Sequence, residues 1–472
     1  MASPDPIGAV QISARSWELA QTLTLAPSGP VAGRALQLLT ALAVAATFTV
    51  ASPLLDLLGI PYAAPTGSFL YKLHPATWLI AAAYAVALAG CGNPLRELGR
   101  SLAHQPATAV YLASVLLMLV WSLVRFGASG TAFFIDTLLM PGVLALLLAR
   151  LDLATQRWLF NLLCGLVMGN TLLGIGEQLT EMRLIPLTFG NDIVMVEDLF
   201  RATALLGHPL WAASVTGFAL FVLYRLRGRV VRSLCCLVLV LALLSFGGRT
   251  SLATNLALIA PLALFDLARH ARRTGLSYAE VTGGTAVAVL ALGTVVAAVM
   301  GGSVGERIMG SLDWDSSAQV RTKMIEVFHY MDWQQFLFGM NPVEIHSISA
   351  HLGLVFPEGA IESFWIVLCM QVGVPLLALF ALALAAFFLR LARLGGIAVG
   401  LGLVAFLLVA STSISLATKS PILVAVVALA YLAGTYRWCG LQQEACRRLP
   451  AGPASGRAPA APARALSATA AA

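Results

Sequence analysis

Twelve apolar runs set the fold class of this chain: 36–58, 76–92, 108–124, 132–149, 158–176, 209–224, 233–247, 250–266, 281–300, 362–389, 397–416 and 421–436. As helix, at 1.5 Å per residue, runs of this kind cross a hydrocarbon core ~30 Å thick. Spanning helices also satisfy their own backbone where no water can. The sequence therefore predicts an all-α polytopic membrane protein of about 12 transmembrane helices, and a soluble fold is excluded. The pair of runs around Gly247, Gly248 and Arg249 is joined by so little chain that a broken or re-entrant hairpin is the alternative there.

Charge gives the orientation, because Arg and Lys are retained on the cytoplasmic side. With the amino terminus inside, the predicted inner segments and the two tails hold 20 of the 29 basic residues, among them Arg96, Arg150, Arg225, Arg269 and Arg390. Both termini are then cytoplasmic. The net charge of +7 is a topology signal spread over separate loops and not a nucleic-acid footprint. The predicted divisions are a cytoplasmic segment 1–35, nine spans within 36–300, an outer loop 301–361, three spans within 362–436, and a tail 437–472. The tail's Ala, Pro, Gly and Ser content cannot bury a core, so disorder is expected there. None of the seven cysteines falls in an outer loop, and no spacing suggests zinc or another metal or cofactor.

In a chain that is 59% apolar and 11% charged, polar chemistry concentrates in the 301–361 loop between the ninth and tenth spans. Ser316 and Gln319 have capping-box spacing, and Met324, Ile325, Phe328 and Met331 recur at helical intervals. An amphipathic surface helix over 317 to about 337 is predicted, ended by Phe338-Gly339-Met340-Asn341-Pro342.

Single arginines mark the outer boundaries: Arg125, Arg201, Arg249 and Arg321. Interface anchoring by snorkelling is the plain role for Arg125 and Arg201. Arg249 lies in Ser245-Phe246-Gly247-Gly248-Arg249-Thr250-Ser251, where the glycines permit close backbone approach and little loop receives its side chain. A guanidinium fork matches phosphate oxygens in two-point geometry. A diphosphate headgroup at the outer leaflet is the partner such residues suit. Inside the spans, Asp136, Asn161, Asn170, Asn255 and Gln371 face an expensive environment, as path markers or as interhelical hydrogen-bonding groups.

These residues resemble the superfamily of O-antigen polymerases and O-antigen ligases. Ser245 to Leu252 looks like its Ser-Arg-Gly/Thr element, with Arg249 as the arginine. Arg321 resembles the loop arginine before an amphipathic helix, and Leu337-Phe338-Gly339-Met340 its Phe-Gly-x-Gly turn, with Met340 in place of the second glycine. Ile361-Glu362-Ser363-Phe364-Trp365 with Gln371-Val372-Gly373-Val374 resembles the Glu/His-Asn-x-Tyr-Leu element and the following Gly-hydrophobic-Gly start of a span. Ile361 stands where ligases carry histidine, which points to polymerase.

The resemblance implies metal-independent transfer of a glycan from a polyprenyl-diphosphate carrier to a sugar hydroxyl of a second lipid-linked unit, at the periplasmic face of a bacterial inner membrane. Arg249, Arg321 and Arg201 would hold the diphosphate. Glu362 is the first candidate base, against the alternative of a helix-start glutamate favoured by the helix dipole. His346 and His351 come second, against ordinary surface histidines. Implied partners are the lipid-linked oligosaccharide, the bilayer, and a flippase and chain-length regulator of the same export pathway. Competing readings are a ligase and a polysaccharide or lipid-carrier transporter.

Overall fold

The computed structural model describes residues 30–60, 62, 69–128, 130–186, 188–189, 192–193, 200–226, 228–275, 323–354, 361, 363–412, 416 and 418–448. They form a helical membrane protein. In chain order the helices are α1 (Pro30–Thr49), α2 (Ser52–Leu57), α3 (Pro75–Ala89), α4 (Pro94–His104), α5 (Pro106–Phe126), α6 (Thr131–Leu148) and α7 (Leu153–Thr180). Then come α8 (Pro209–Leu223), α9 (Arg229–Ser245), α10 (Arg249–Thr274), α11 (Trp333–Phe338), α12 (Pro342–His351), α13 (Phe364–Val372), α14 (Val374–Gly395), α15 (Ile397–Ser411) and α16 (Ile422–Arg448). One two-residue antiparallel pairing, Thr188–Phe189 with Asp192–Ile193, lies between α7 and α8.

Among the described residues, α5, α6, α7, α10 and α14 are individually long and apolar enough to cross a membrane. The sequence-predicted run 281–300 lies outside the described residues. The hairpin at Gly247 is two ordinary helices, one of them the 26-residue α10. Two expectations are corrected. The run 362–389 is broken at Gly373 into α13 and α14, because that glycine takes φ 79° and turns the chain. The amphipathic helix foreseen to about 337 stops at Met331, where the backbone becomes extended, and Asp332 starts α11 as a new N-cap. Ser316 and Gln319 lie outside the described residues.

Close crossings hold the bundle together, as membranes favour, since lipid gives apolar faces no reason to leave it. Gly402 packs on Phe218 and Phe221, Gly142 on Leu112, and Gly434 on Leu394. Helix α8 is buried on nearly every face, which is what a helix apolar all round does.

At one end, α4 turns 110° from α3 and carries the strongly amphipathic sequence PLRELGRSLAH. It is tied there by Arg150, 1% exposed, whose guanidinium donates to the Glu97 carboxylate at 3.1 Å and to Ser101 Oγ at 2.5 Å. Arg150 was expected simply to mark an inner loop. Its burial is tolerated because Glu97 compensates the charge.

At the other end, three distant segments meet. Asp136, in a π-helical turn of α6 over Phe134–Leu139, accepts from Tyr62 Oη at 3.1 Å, the His74 amide at 3.0 Å and Thr77 Oγ1 at 2.7 Å. Lys419, between α15 and α16, donates to the carbonyls of Tyr62 and Lys72, the latter at 2.8 Å, and sits 3.6 Å from the centroid of the Tyr62 ring. Asp136 is thus a bound structural carboxylate at a loop end.

Candidate functional site

Two of the three predicted diphosphate-binding arginines come from segments that touch. The Ala202 amide donates to the Ser245 carbonyl at 3.3 Å, joining the stretch after Arg201 to the end of α9, and Arg249 follows four residues on as the first residue of α10. Arg249 is exposed and Arg201 half-buried. Arg321 and Glu362 lie outside the described residues.

Each segment is positioned by contacts that the sequence explains only in part. Gly248 lets the turn before Arg249 lie on α8, where an added methyl would approach the Ala213 Cβ to 2.8 Å. Ser251 Oγ then donates to the Ala213 carbonyl at 3.1 Å. The Arg201 stretch hangs from α7. Glu177, 3% exposed, accepts from the amides of Leu184, Thr203 and Ala204 at 3.0, 2.9 and 2.8 Å, and Asn170 Oδ1 accepts from Leu205 at 2.9 Å. Arg183 stacks 4.7 Å from the Phe200 ring centroid and donates to the Arg201 carbonyl through Nε at 3.1 Å and Nη2 at 2.8 Å.

The acceptors at this junction, the Glu177 carboxylate and the Asn170 oxygen, are engaged by backbone amides. His208 caps α8 by accepting the Leu210 amide on Nδ1 at 3.2 Å, which leaves the proton of its neutral ring on Nε2. Burial first, and the Arg201 charge second, push its pKa down to about 4, so the ring is uncharged at neutral pH. Trp211, whose ring centroid is 5.5 Å from that of His208, has a buried Nε1–H without a hydrogen-bond partner among the described residues. Thr203 Oγ1 is likewise buried and unpartnered there. Buried polar groups are normally bonded, and these two lack a protein partner among the described residues. The amino end of α10 adds first-turn amides and the positive end of a 26-residue helix. Nothing here resembles a metal site: among the described residues no three His, Cys, Asp or Glu side chains cluster.

Sequence reasoning missed Glu177, His208, Trp211 and Thr203. A His-Pro step before an apolar run was the available signal, and it occurs twice, since His74-Pro75 starts α3 the same way. The histidines it did single out stand elsewhere. His346 and His351 are exposed on α12, which packs on the 3-10 turn Val327–Tyr330 and on α13, with His351 edge-on to Tyr330 at 5.2 Å between centroids. Arg125 does more than anchor: its Nη1 donates to the Phe338 carbonyl at 2.9 Å, beside Trp121 Nε1 at 3.0 Å, with three aromatic rings around the guanidinium.

No family model matches this chain, and neither a curated protein nor a solved structure is found to be similar to it.

Proposed function

We propose that the protein is a glycan polymerase that joins polyprenyl-diphosphate-linked repeat units on the outer face of a bacterial inner membrane. The observation that carries this reading is the hydrogen bond between the Ala202 amide and the Ser245 carbonyl, which brings the Arg201 and Arg249 segments to one place. The two guanidinium groups and the amino end of α10 suit an acceptor-only ligand such as a diphosphate. In the transfer the diphosphate leaves, and preorganised donors stabilise the charge that develops on it. The acceptor hydroxyl gives its proton to a base, for which Glu362 is the first candidate and His346 and His351 the second.

The reading includes twelve spans, both termini in the cytoplasm, and the arginine pair in the periplasm, as the basic-residue distribution argues. A flippase and a chain-length regulator are the partners it implies. Asp136 supports polymerase over transporter, since its carboxylate is fully engaged by Tyr62, His74 and Thr77.

The test uses full-length protein in lipid nanodiscs with a synthetic polyprenyl-diphosphate repeat unit and no added metal, followed for a ladder of products. Arg249→Ala and Arg201→Ala should each lower the rate by about 10²- to 10³-fold, the range seen when one preorganised donor is removed, with folding unchanged. A wild-type ladder from both variants would overturn the proposal.

A further inference from the structure

A second feature at the same end of the bundle is an open cleft of about 610 Å³, lined by Arg125 and Phe126 of α5 and by Asp332, Gln335, Asn341 and Glu344 of the outer helices. That volume falls in the range of small-molecule sites. Its polar groups are held by two reciprocal capping boxes. In the first, Asp332 Oδ1 accepts the Gln335 amide at 2.7 Å while Gln335 Oε1 accepts the Asp332 amide at 3.0 Å. In the second, Asn341 Oδ1 accepts the Glu344 amide at 2.8 Å while Glu344 Oε2 accepts the Asn341 amide at 3.2 Å.

Each box spends the oxygen of its amide side chain on the backbone, which leaves that side chain's NH₂ available as a donor. Each carboxylate keeps a second oxygen as an acceptor. The cleft therefore combines two donor-acceptor pairs with the Phe126 ring and the Arg125 guanidinium in its lining. Arg125 is itself immobilised by the Phe338 carbonyl and the rings of Trp121, Phe126 and Phe338.

Two carboxylates against one guanidinium make this a poor place for a diphosphate. A divalent cation is also ill served, since it wants six or more oxygens and no nearby cation. Hydroxyl groups, each both donor and acceptor, match the alternating pairs, and the C–H face of a pyranose matches the ring. We propose that this cleft binds the acceptor saccharide by its hydroxyl face, with the Gln335 and Asn341 amides as specificity-determining donors. The inference rests on the polymerase reading for the word "acceptor", though the saccharide binding itself is tested separately.

Two substitutions remove the donors while keeping the helix caps: Gln335→Glu and Asn341→Asp both leave the capping oxygens in place. Full-length protein in nanodiscs is titrated with gluco-, galacto-, manno- and rhamno-configured tetrasaccharides, and binding is read by saturation-transfer NMR. At least one of these should bind saturably. Each substitution should weaken that binding about fivefold and the pair about 25-fold, the worth of one and two net hydrogen bonds, with thermal unfolding unchanged.

No binding by any of the four at millimolar concentration overturns the proposal, as does equal binding by the double variant. Saturable calcium binding by the wild type that strengthens in the double variant reassigns the cleft to a cation and overturns it too. Farnesyl diphosphate titrated in parallel, with Arg249→Ala as its control, reports on the anion site alone. A failure of the polymerase reading is thereby distinguishable from a failure of the cleft.

Discussion

Gly339 and Gly373 interlock. Each takes a left-handed backbone, with φ of 78° and 79°. A methyl group on Gly339 would overlap the Gln371 carbonyl, and one on Gly373 would overlap the Leu337 carbonyl. The Met340 amide closes the contact by donating to the Met370 carbonyl at 2.7 Å. The turn that ends α11 is thus seated on the break between α13 and α14.

Alanine at either glycine meets both a disfavoured φ, worth about 1–2 kcal/mol, and an overlap with rigid backbone, worth about 1–3 kcal/mol more. Gly339→Ala and Gly373→Ala should each lower the thermal unfolding midpoint by several degrees in nanodiscs. Because the two residues share one contact, the double variant should lose less than the sum of the singles. Unchanged midpoints for both singles would mean that the two turns are not in contact.

Glu177→Gln tests whether the Arg201 stretch is positioned from α7. Glutamine offers one acceptor oxygen where three amides now bond, and its NH₂ meets another donor, a buried mismatch costing about 1–3 kcal/mol. Farnesyl diphosphate binding should weaken in this variant and, to a similar extent, in Arg201→Ala. Combining the two substitutions should add little further loss. Fully additive losses would show that Glu177 does not act through Arg201.

Asp136→Asn separates scaffold from transport path. Asparagine keeps one oxygen for the Tyr62 hydroxyl and the His74 amide but meets Thr77 with an NH₂. The Thr77 hydroxyl must then reverse its role, so unfolding should become easier by about 0.5–1.5 kcal/mol. Protein that is still folded should make the polymer ladder at near wild-type rate. Loss of activity in folded Asp136→Asn, with Arg201→Ala and Arg249→Ala active, would favour the transporter.

His74 sets a pH dependence. Its Nε2 lies 2.7 Å from the Val50 carbonyl and its Nδ1 accepts the Ala76 amide at 3.1 Å, so the bonded form is neutral. Burial, reinforced by the Lys419 charge and opposed by the Val50 carbonyl, lowers its pKa to about 4 from 6.5. As pH falls through 6.5 the unfolded chain takes up the proton first, so stability declines down to pH 4, by about 3 kcal/mol at most for this group. His74→Asn keeps an N-cap and should flatten that decline, as the unfolding midpoint from pH 7 to 4 would reveal. His208 titrates in the same direction in both proteins and cancels in the comparison. Parallel pH profiles would remove His74 from the account.

Much of the helical layout was legible because composition decides it: α5, α6, α7, α10 and α14 each coincide with or lie within one apolar run and its flanks. The break at Gly373 was hidden within such a run, since a single glycine among apolar residues is also compatible with a continuous span. The short helices α11 and α12 were misread for the opposite reason. They are 6 and 10 residues long, and their starts are set by Asp332 and Asn341 caps more than by periodicity. At the site, the arginines stood out because charge at a membrane boundary is conspicuous. Glu177 and His208 did not, because their roles depend on backbone amides supplied by neighbouring segments.

Lys419 also has a bearing on how the chain is assembled as it leaves the ribosome. Its two carbonyl partners precede it by 357 and 347 residues, so the segment between α2 and α3 is synthesised long before the ammonium that holds it. Until the segment between α15 and α16 is made, the carbonyls of Tyr62 and Lys72 are without the Lys419 ammonium. The segment before α16 therefore fastens one made 347 or more residues earlier, and a chain that ends before Lys419 lacks that tie.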